Sequence, residues 1–432
     1  MTVGLKLKED RCSACGRCVR NCPVGALSLV GGKLAMNPDL CIDCGECIRS
    51  CEEQVLRLSE HDWSALAARG DISVIPDPAL YSQIGFHVSP SLVGAGLEKL
   101  GAADLTSWVG KGYDLAAYTI VKELKRRDDT SAPLISGYCP AVVRLIQVSF
   151  PELVDLITPM ENPLEISAEL WKRETGGGTN LCLVAPCSAK IALVKRPQGR
   201  CASNFQHVVS VRTVARSLMR SGGGEMPDLD ARYLKWALSG GEIEHVRRFH
   251  RRMNPSEDEF KMVWTSGMRN VVELLKEVEL GHLQGLDYLE CRACDQGCIG
   301  GVGTLNPRYL TQIRLSNLEM NWAVLPEYAG QLREWYRADV WRICEPLTPR
   351  ERPPLSHDIE KALSMMNQLN DVSDQLPKLD CCTCGRPGCR SLAEDIVKGR
   401  AELTDCVFKM KEQLLLKLSK FQKQERNHSD EK

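Results

Sequence analysis

Long apolar runs are missing from this 432-residue chain: no stretch of about 18 apolar residues occurs, so no segment reads as a membrane-spanning helix. An excess of one charge is missing too. Fifty-five Lys and Arg against 56 Asp and Glu leave a net charge of −1, which gives no electrostatic footprint for nucleic acid, and 6% aromatics offer little surface for stacking bases. The start, MTVGLKLKEDRCSAC, has no basic stretch followed by an apolar one, so an export signal is not expected and the cytoplasm is. The eight histidines lack ligand spacing. No phosphate-cradling glycine loop or Ser/His/Asp set is evident, and the glycine runs at Gly176–Gly178 and Gly222–Gly224 read as loops.

Cysteine is what the chain has in quantity: 21 residues. A reducing compartment excludes a disulfide framework of that size, so metal ligation is the leading explanation. The cysteines gather at the two ends with a sparse set between. That distribution predicts an α/β multidomain chain: a ferredoxin-like α+β module over 1–58, a larger α/β domain over 80–345, and a small, mostly helical module over 357–432. Strand-like Ile72–Ile75 leads into the central region, where helical segments such as Tyr113–Arg127 alternate with apolar strands such as Asn180–Ala185. The segment EPLTPRERPPLS, Glu345–Ser356, reads as a proline-rich linker.

Cys12, Cys15, Cys18 and Cys22-Pro23 have the spacing C-x2-C-x2-C-x3-C-P, and Cys41, Cys44, Cys47 and Cys51 repeat it 29 residues on. This is the pattern of a two-cluster bacterial ferredoxin. In it, three close thiolates wrap one [4Fe–4S] cube and the fourth reaches the other cube. The expected sets are therefore Cys12, Cys15, Cys18 and Cys51, and Cys41, Cys44, Cys47 and Cys22. Glu52 stands where proline is usual. Zinc is the competing reading, although zinc knuckles favour longer gaps between cysteine pairs.

In the last module, Cys381 or Cys382 with Cys384, Cys389 and Cys406 makes C-x2-C-x4-C-x16-C when counted from Cys381, and suits a further [4Fe–4S] cluster or a zinc ion. Gly385 and Gly388 let the loop fold tightly, and a helix from Ser391 would return Cys406 to the site. Beyond it, Val407, Met410, Leu414, Leu418 and Phe421 form an apolar helical stripe. That stripe either packs on its own domain or docks a signalling partner.

Three central segments complete the reading: SGYCPAVVRLIQVSFPEL at Ser136–Leu153, APCSAK at Ala185–Lys190 and LECRACDQGCIGGVG at Leu289–Gly303. They supply Cys139, Cys187, Cys294 and Cys298, enough thiolates for an internal cube, with glycines that let backbone approach a bulky group. Together these segments resemble the signature motifs of the [FeFe]-hydrogenase large-subunit family, in its sensory branch. The resemblance implies that the four cysteines hold a cube and that Cys298 also bridges to a two-iron subcluster bearing CO, cyanide and a dithiolate. It further implies that Lys190 hydrogen-bonds a cyanide and that Pro140 and Pro186 shape the loops.

Several positions depart from the family pattern. Tyr138 replaces the proton-relaying cysteine, and a phenol is a poorer exchanger than a thiol near neutrality. Ala185 and Arg292 replace methionines, Leu193 replaces a glutamate, and Arg126 replaces one of two path carboxylates while Glu123 retains the other. The resemblance thus implies electron exchange through the ferredoxin clusters with a redox partner, such as ferredoxin or another electron-transfer subunit. It also implies slow hydrogen chemistry or redox sensing at the centre, with Cys298, Lys190 and Tyr138 at the reacting site. The other reading is an electron-transfer or scaffold protein holding only [4Fe–4S] clusters. Cys182, Cys201, Cys291 and Cys344 fall outside these sets and are expected to serve packing.

Overall fold

The computed structural model describes residues 4–8, 11–85, 90–127, 132–178, 180–200, 202–221, 232–317, 327–350 and 354–430; Cys201 and the Gly222–Gly224 run lie outside them. The amino-terminal module is built on β1 (Leu5–Leu7), β2 (Leu27–Val30), β3 (Lys33–Met36) and β4 (Leu56–Leu58). β1 pairs antiparallel with β4, and β2 with β3. Gly31 and Gly32 turn the second hairpin with φ of 56° and 74°, the double positive φ that a two-residue hairpin loop requires. Two short helices, Arg17–Arg20 and Glu46–Ser50, repeat 29 residues apart and carry Cys18 and Cys47.

The central region contributes β5 (Ile72–Pro76), β6 (Ala102–Asp104), β7 (Leu134–Ile135), β8 (Leu181–Ala185), β9 (His207–Ser210), β10 (Met262–Ser266) and β11 (Tyr288–Arg292). They form two parallel sheets, in the orders β6-β5-β8-β9 and β10-β11-β7. A parallel strand covered on both faces needs an unbroken apolar run, and Leu181-Cys182-Leu183-Val184-Ala185 is buried at every position. Helices Thr106–Arg126 and Pro163–Thr175 cross so closely that a Cβ on Gly112 would lie 2.1 Å from Ser167 Oγ.

In parallel sheets, ligand sites form beyond the carboxyl ends of strands. Asp77 directly follows β5, Cys139 lies just after β7, Cys187 just after β8, and Cys294 and Cys298 follow β11.

The last module packs helices Ile359–Gln375 and Cys389–Val397 around Leu369, Leu376, Leu392, Ala393 and Cys406. The helix expected from Ser391 starts two residues earlier, because the open turn at Gly388 makes Cys389 its first residue. The final helix, Val407–Asp430, leaves Val407, Met410, Leu414, Leu418 and Phe421 exposed. The proline-rich segment is strapped down over its described part: Gln147 Nε2 donates to Thr348 O at 2.8 Å, and Arg350 N donates to Gln147 O at 2.8 Å. Among the described residues no helix is long and apolar enough to cross a membrane.

Candidate functional site

In the amino-terminal module the two cysteine runs exchange their last members in space. A cavity of about 210 Å3 is lined by Cys12, Cys15, Cys18 and Cys51 together with Leu29, Leu34, Val55 and Leu56. A tighter one is lined by Cys22, Cys41, Cys44 and Cys47 with Leu5, Leu27 and Ile42. Electrostatics follow the same grouping. Burial pushes the Cys18 thiol up to about 11, with Cys15, Cys51 and Cys12 adding to the rise, while burial raises Cys44 and Cys47 with Cys22 among their neighbours. The backbone NH groups of Ala26 and Val55 point at Cys22 Sγ and Cys51 Sγ at 3.2 and 3.4 Å. Donors in that position favour charge on sulfur.

The four central cysteines come from three loops at strand ends. Cys139 caps helix Pro140–Ser149, whose proline start needs no NH partner, and Cys187 caps helix Ser188–Lys195. Both thiols therefore sit at helix amino termini, where negative charge is favoured. Burial nonetheless drives Cys187 up to about 12, and Cys298 and Cys139 also raise it; burial likewise raises Cys294 and Cys298. Thiolates gathered there need a positive core between them. The glycine loop is pressed close: a Cβ on Gly300 would meet Asp295 O at 2.3 Å, and one on Gly301 would meet Pro186 O at 2.3 Å.

Beside Cys298 lies a polar cage of fully buried side chains. Lys190 Nζ donates to Asp77 Oδ2 at 2.5 Å and to Tyr138 Oη at 2.9 Å, and lies 3.9 Å from Cys298 Sγ. Asp77 is fixed in turn, its Oδ1 accepting from Ala79 N at 2.9 Å. The Tyr138 hydroxyl is 3.1 Å from Tyr113 Oη and 3.9 Å from Cys298 Sγ, and its ring packs against Trp236. Over the Tyr138 ring, 3.7 Å from its centre, stands the Arg292 guanidinium, which donates to Glu290 Oε1 and Glu242 Oε2 at 2.9 Å each. Ser136 and Tyr288 also donate to Glu242.

Other residues singled out by the sequence are dispersed. Glu123 accepts from Tyr336 Oη at 2.8 Å, while Arg126, largely exposed, donates to that hydroxyl at 3.2 Å. Leu193 and Ala185 are buried. Cys182 and Cys291 are fully buried in β8 and β11, as packing predicts, whereas Cys344 is exposed and packing does not account for it.

At the carboxy-terminal end, Cys384, Cys389 and Cys406 belong to the small core of their own module, whereas Cys382 packs against the amino-terminal one. The Cys382 Sγ contacts the Asp380 and Pro387 carbonyls at 3.4 and 3.3 Å. Cys381 is less buried, and hydrogen bonds from Thr383 lower its thiol pKa.

A family model described as the iron-only hydrogenase large subunit, C-terminal domain, matches residues 72–223 and 201–302, more than half of the chain. The chain belongs to the iron-only hydrogenase large-subunit family. A 4Fe-4S dicluster model matches residues 5–52, and one described as a putative Fe-S cluster matches 376–408. It is thus an iron–sulfur electron-transfer protein of the hydrogenase family, carrying [4Fe–4S] clusters. The NADP-reducing hydrogenase subunit HndD of Solidesulfovibrio fructosivorans is 24% identical over 372 residues, 69% of this chain and 57% of that protein. A component of the ion-translocating oxidoreductase complex of Buchnera aphidicola subsp. Baizongia pistaciae is 34% identical over 47 residues, 11% of this chain and 28% of that protein. The chain thus spans less than two thirds of either curated relative. Two variants of the [FeFe]-hydrogenase HydA1 from Chlamydomonas reinhardtii share the fold. They superpose with TM-scores of 0.52 and 0.50 at 14% and 15% identity, covering 67% of this chain and 98% of each of theirs.

Against the hydrogenase-family pattern, the two parts of the central site differ. Four converging thiols, two helix amino termini and closely approaching glycine backbone fit a [4Fe–4S] cube. The Cys298 side does not fit a two-iron subcluster, because Tyr138, Lys190 and Arg292 stand there bonded to one another or to buried carboxylates. Asp77, Glu242 and Trp236 carry no signal in the sequence, and Glu290, inside the third cysteine segment, is given no role there. Asp77 is 113 positions from Lys190 and belongs to none of the cysteine motifs, so no spacing could mark it.

Proposed function

We propose that this chain is an electron relay and redox sensor, in which the dicluster module carries electrons between an external partner and a central [4Fe–4S] cube. Its cube ligands are Cys12, Cys15, Cys18 and Cys51; Cys41, Cys44, Cys47 and Cys22; and Cys139, Cys187, Cys294 and Cys298. Cys381, Cys384, Cys389 and Cys406 hold the carboxy-terminal cluster. The observation that carries this reading is the joint at Asp43, which lies between Cys41 and Cys44. Arg144, from the helix that Cys139 caps, donates to Asp43 Oδ2 at 3.0 Å with both side chains buried, and Ser188, next to Cys187, donates to Asp43 O at 2.6 Å. A cluster on one side of this joint therefore neighbours a cluster on the other, and electron transfer is fastest over short, rigid, dry gaps.

The other ends of the relay also bear on it. Arg20 donates to Cys381 O at 3.0 Å and Leu29 N to Gly385 O at 2.7 Å, so the carboxy-terminal module seats on the dicluster. Beside Cys51 opens a cleft of about 880 Å3 lined by Arg49, Arg57, Arg212, Arg216 and Arg308 against Glu60, a basic approach suited to an acidic electron carrier. The test is rapid reduction of the anaerobic, reconstituted full chain by a reduced acidic ferredoxin, with the central cube followed by EPR. Cys44→Ala is expected to slow that reduction at least tenfold. Unchanged reduction in that variant, or a wild-type chain with no central cube, would overturn the relay.

A further inference from the structure

We infer that the protein itself closes the Cys298 side of the central cube: Tyr138, Lys190 and Arg292 occupy the attachment place of a two-iron subcluster, and the centre ends as a four-iron site. This deepens the relay reading and rests on its central cube. Three observations meet here. The space is taken: Lys190 Nζ lies 4.1 Å and Arg292 Cζ 3.7 Å from the centre of the Tyr138 ring, and Trp236 and Tyr113 pack on it as well.

The donors are taken as well. Lys190, the residue that would serve a cyanide, already serves Asp77 and Tyr138, and a ligand displacing Tyr138 would leave polar groups unpaired in a dry pocket. Neither cation is left waiting for an incoming anion: Lys190 already pairs with Asp77, and Arg292 with Glu242 and Glu290. Among the described residues of this cage, Arg292 Nη1 alone is buried with no hydrogen-bond partner. The cage thus converts a bridging cysteine into an ordinary terminal ligand.

The experiment offers the anaerobically reconstituted full chain a synthetic two-iron dithiolate complex bearing CO and cyanide, followed by desalting. The wild type is expected to show no infrared bands from bound CO or cyanide and to keep about 16 iron atoms per chain, four cubes' worth. Tyr138→Phe should behave the same, because the ring remains. Tyr138→Gly combined with Arg292→Met should gain the bands and approach about 18 iron atoms. Retained bands and extra iron in the wild type would overturn the inference. So would continued exclusion by the opened double variant with its cube intact, since these side chains would then not be the obstruction. EPR of the cube in each sample separates these results from failure of the relay itself, which would appear as a missing cube rather than an occupied or vacant attachment place.

Discussion

The cysteine pockets of the amino-terminal module and the Cys298 side of the central site are opposites in construction. Around Cys12, Cys15, Cys18 and Cys51, thiols and apolar side chains face a cavity, and little but sulfur is available to bond what fills it. Around Cys298, cations, carboxylates and phenols face each other and satisfy each other. The first is a mould that needs a cluster; the second is filled by its own side chains, with one Arg292 N–H left over. A motif of ligands therefore says less about a site than whether the ligands' neighbours have partners of their own.

The largest test of that contrast is loss of a ligand on the mould side. Cys51→Ala should empty the pocket of Cys12, Cys15 and Cys18, and Cys22→Ala the other, each costing about four iron atoms per chain by chemical assay. Loss from the wrong pocket, visible by EPR of the remaining cluster, would break the crossed assignment. Next in size is the joint between the two regions. Asp43→Leu strands the Arg144 guanidinium in a buried place and should destabilise the chain by about 3–5 kcal/mol in denaturant titration, while Asp43→Leu with Arg144→Met should recover much of the loss.

A smaller effect tests whether buried charge outside the cage behaves differently from charge within it. Burial pushes Glu161 up to about 8 against the pull of Arg200, with Glu165 and Glu169 adding to the rise. The native state then holds a proton that the unfolded chain releases above its ordinary carboxylate range. Stability from this group is therefore present in mild acid and falls as pH rises to about 8, by on the order of 2–4 kcal/mol. Glu161→Gln should flatten that slope in melting curves recorded from pH 5 to pH 8. Smallest of all should be two surface changes. Glu52→Pro, which breaks an exposed ion pair with Arg17, and removal of residues 407–432 should leave iron content and melting midpoint unchanged, the latter weakening only partner capture. Precipitation or cluster loss in the truncated chain would make the final helix structural.

How legible each part was in the sequence follows from how local its causes are. The dicluster cysteines declare themselves because four ligands fall within eleven residues, and the central segments carry four more in recognisable strings. The helix expected over Tyr113–Arg127 is present but starts seven residues earlier, at Thr106, and the strand expected from Asn180 starts at Leu181. The cage was not legible. From the sequence Tyr138 is a missing thiol and Arg292 a missing methionine, and only three dimensions reveal that each has acquired partners from distant strands and helices. What the composition of the proline-rich stretch does not show is how it is held: Gln147 and Arg350 fasten its described part to the central and amino-terminal modules.

The Asp43 joint also constrains assembly in time. Arg49 reaches from the dicluster to Gly300 O at 2.8 Å, and a Cβ on Gly45 would strike Val302 at 2.8 Å, so the module lies flush against the loop that carries Cys298. The module emerges from the ribosome before the central domain exists, so this face has no partner until residues about 250 positions later are made. The first part made therefore completes its contacts only when the loop that carries Cys298 has been synthesised.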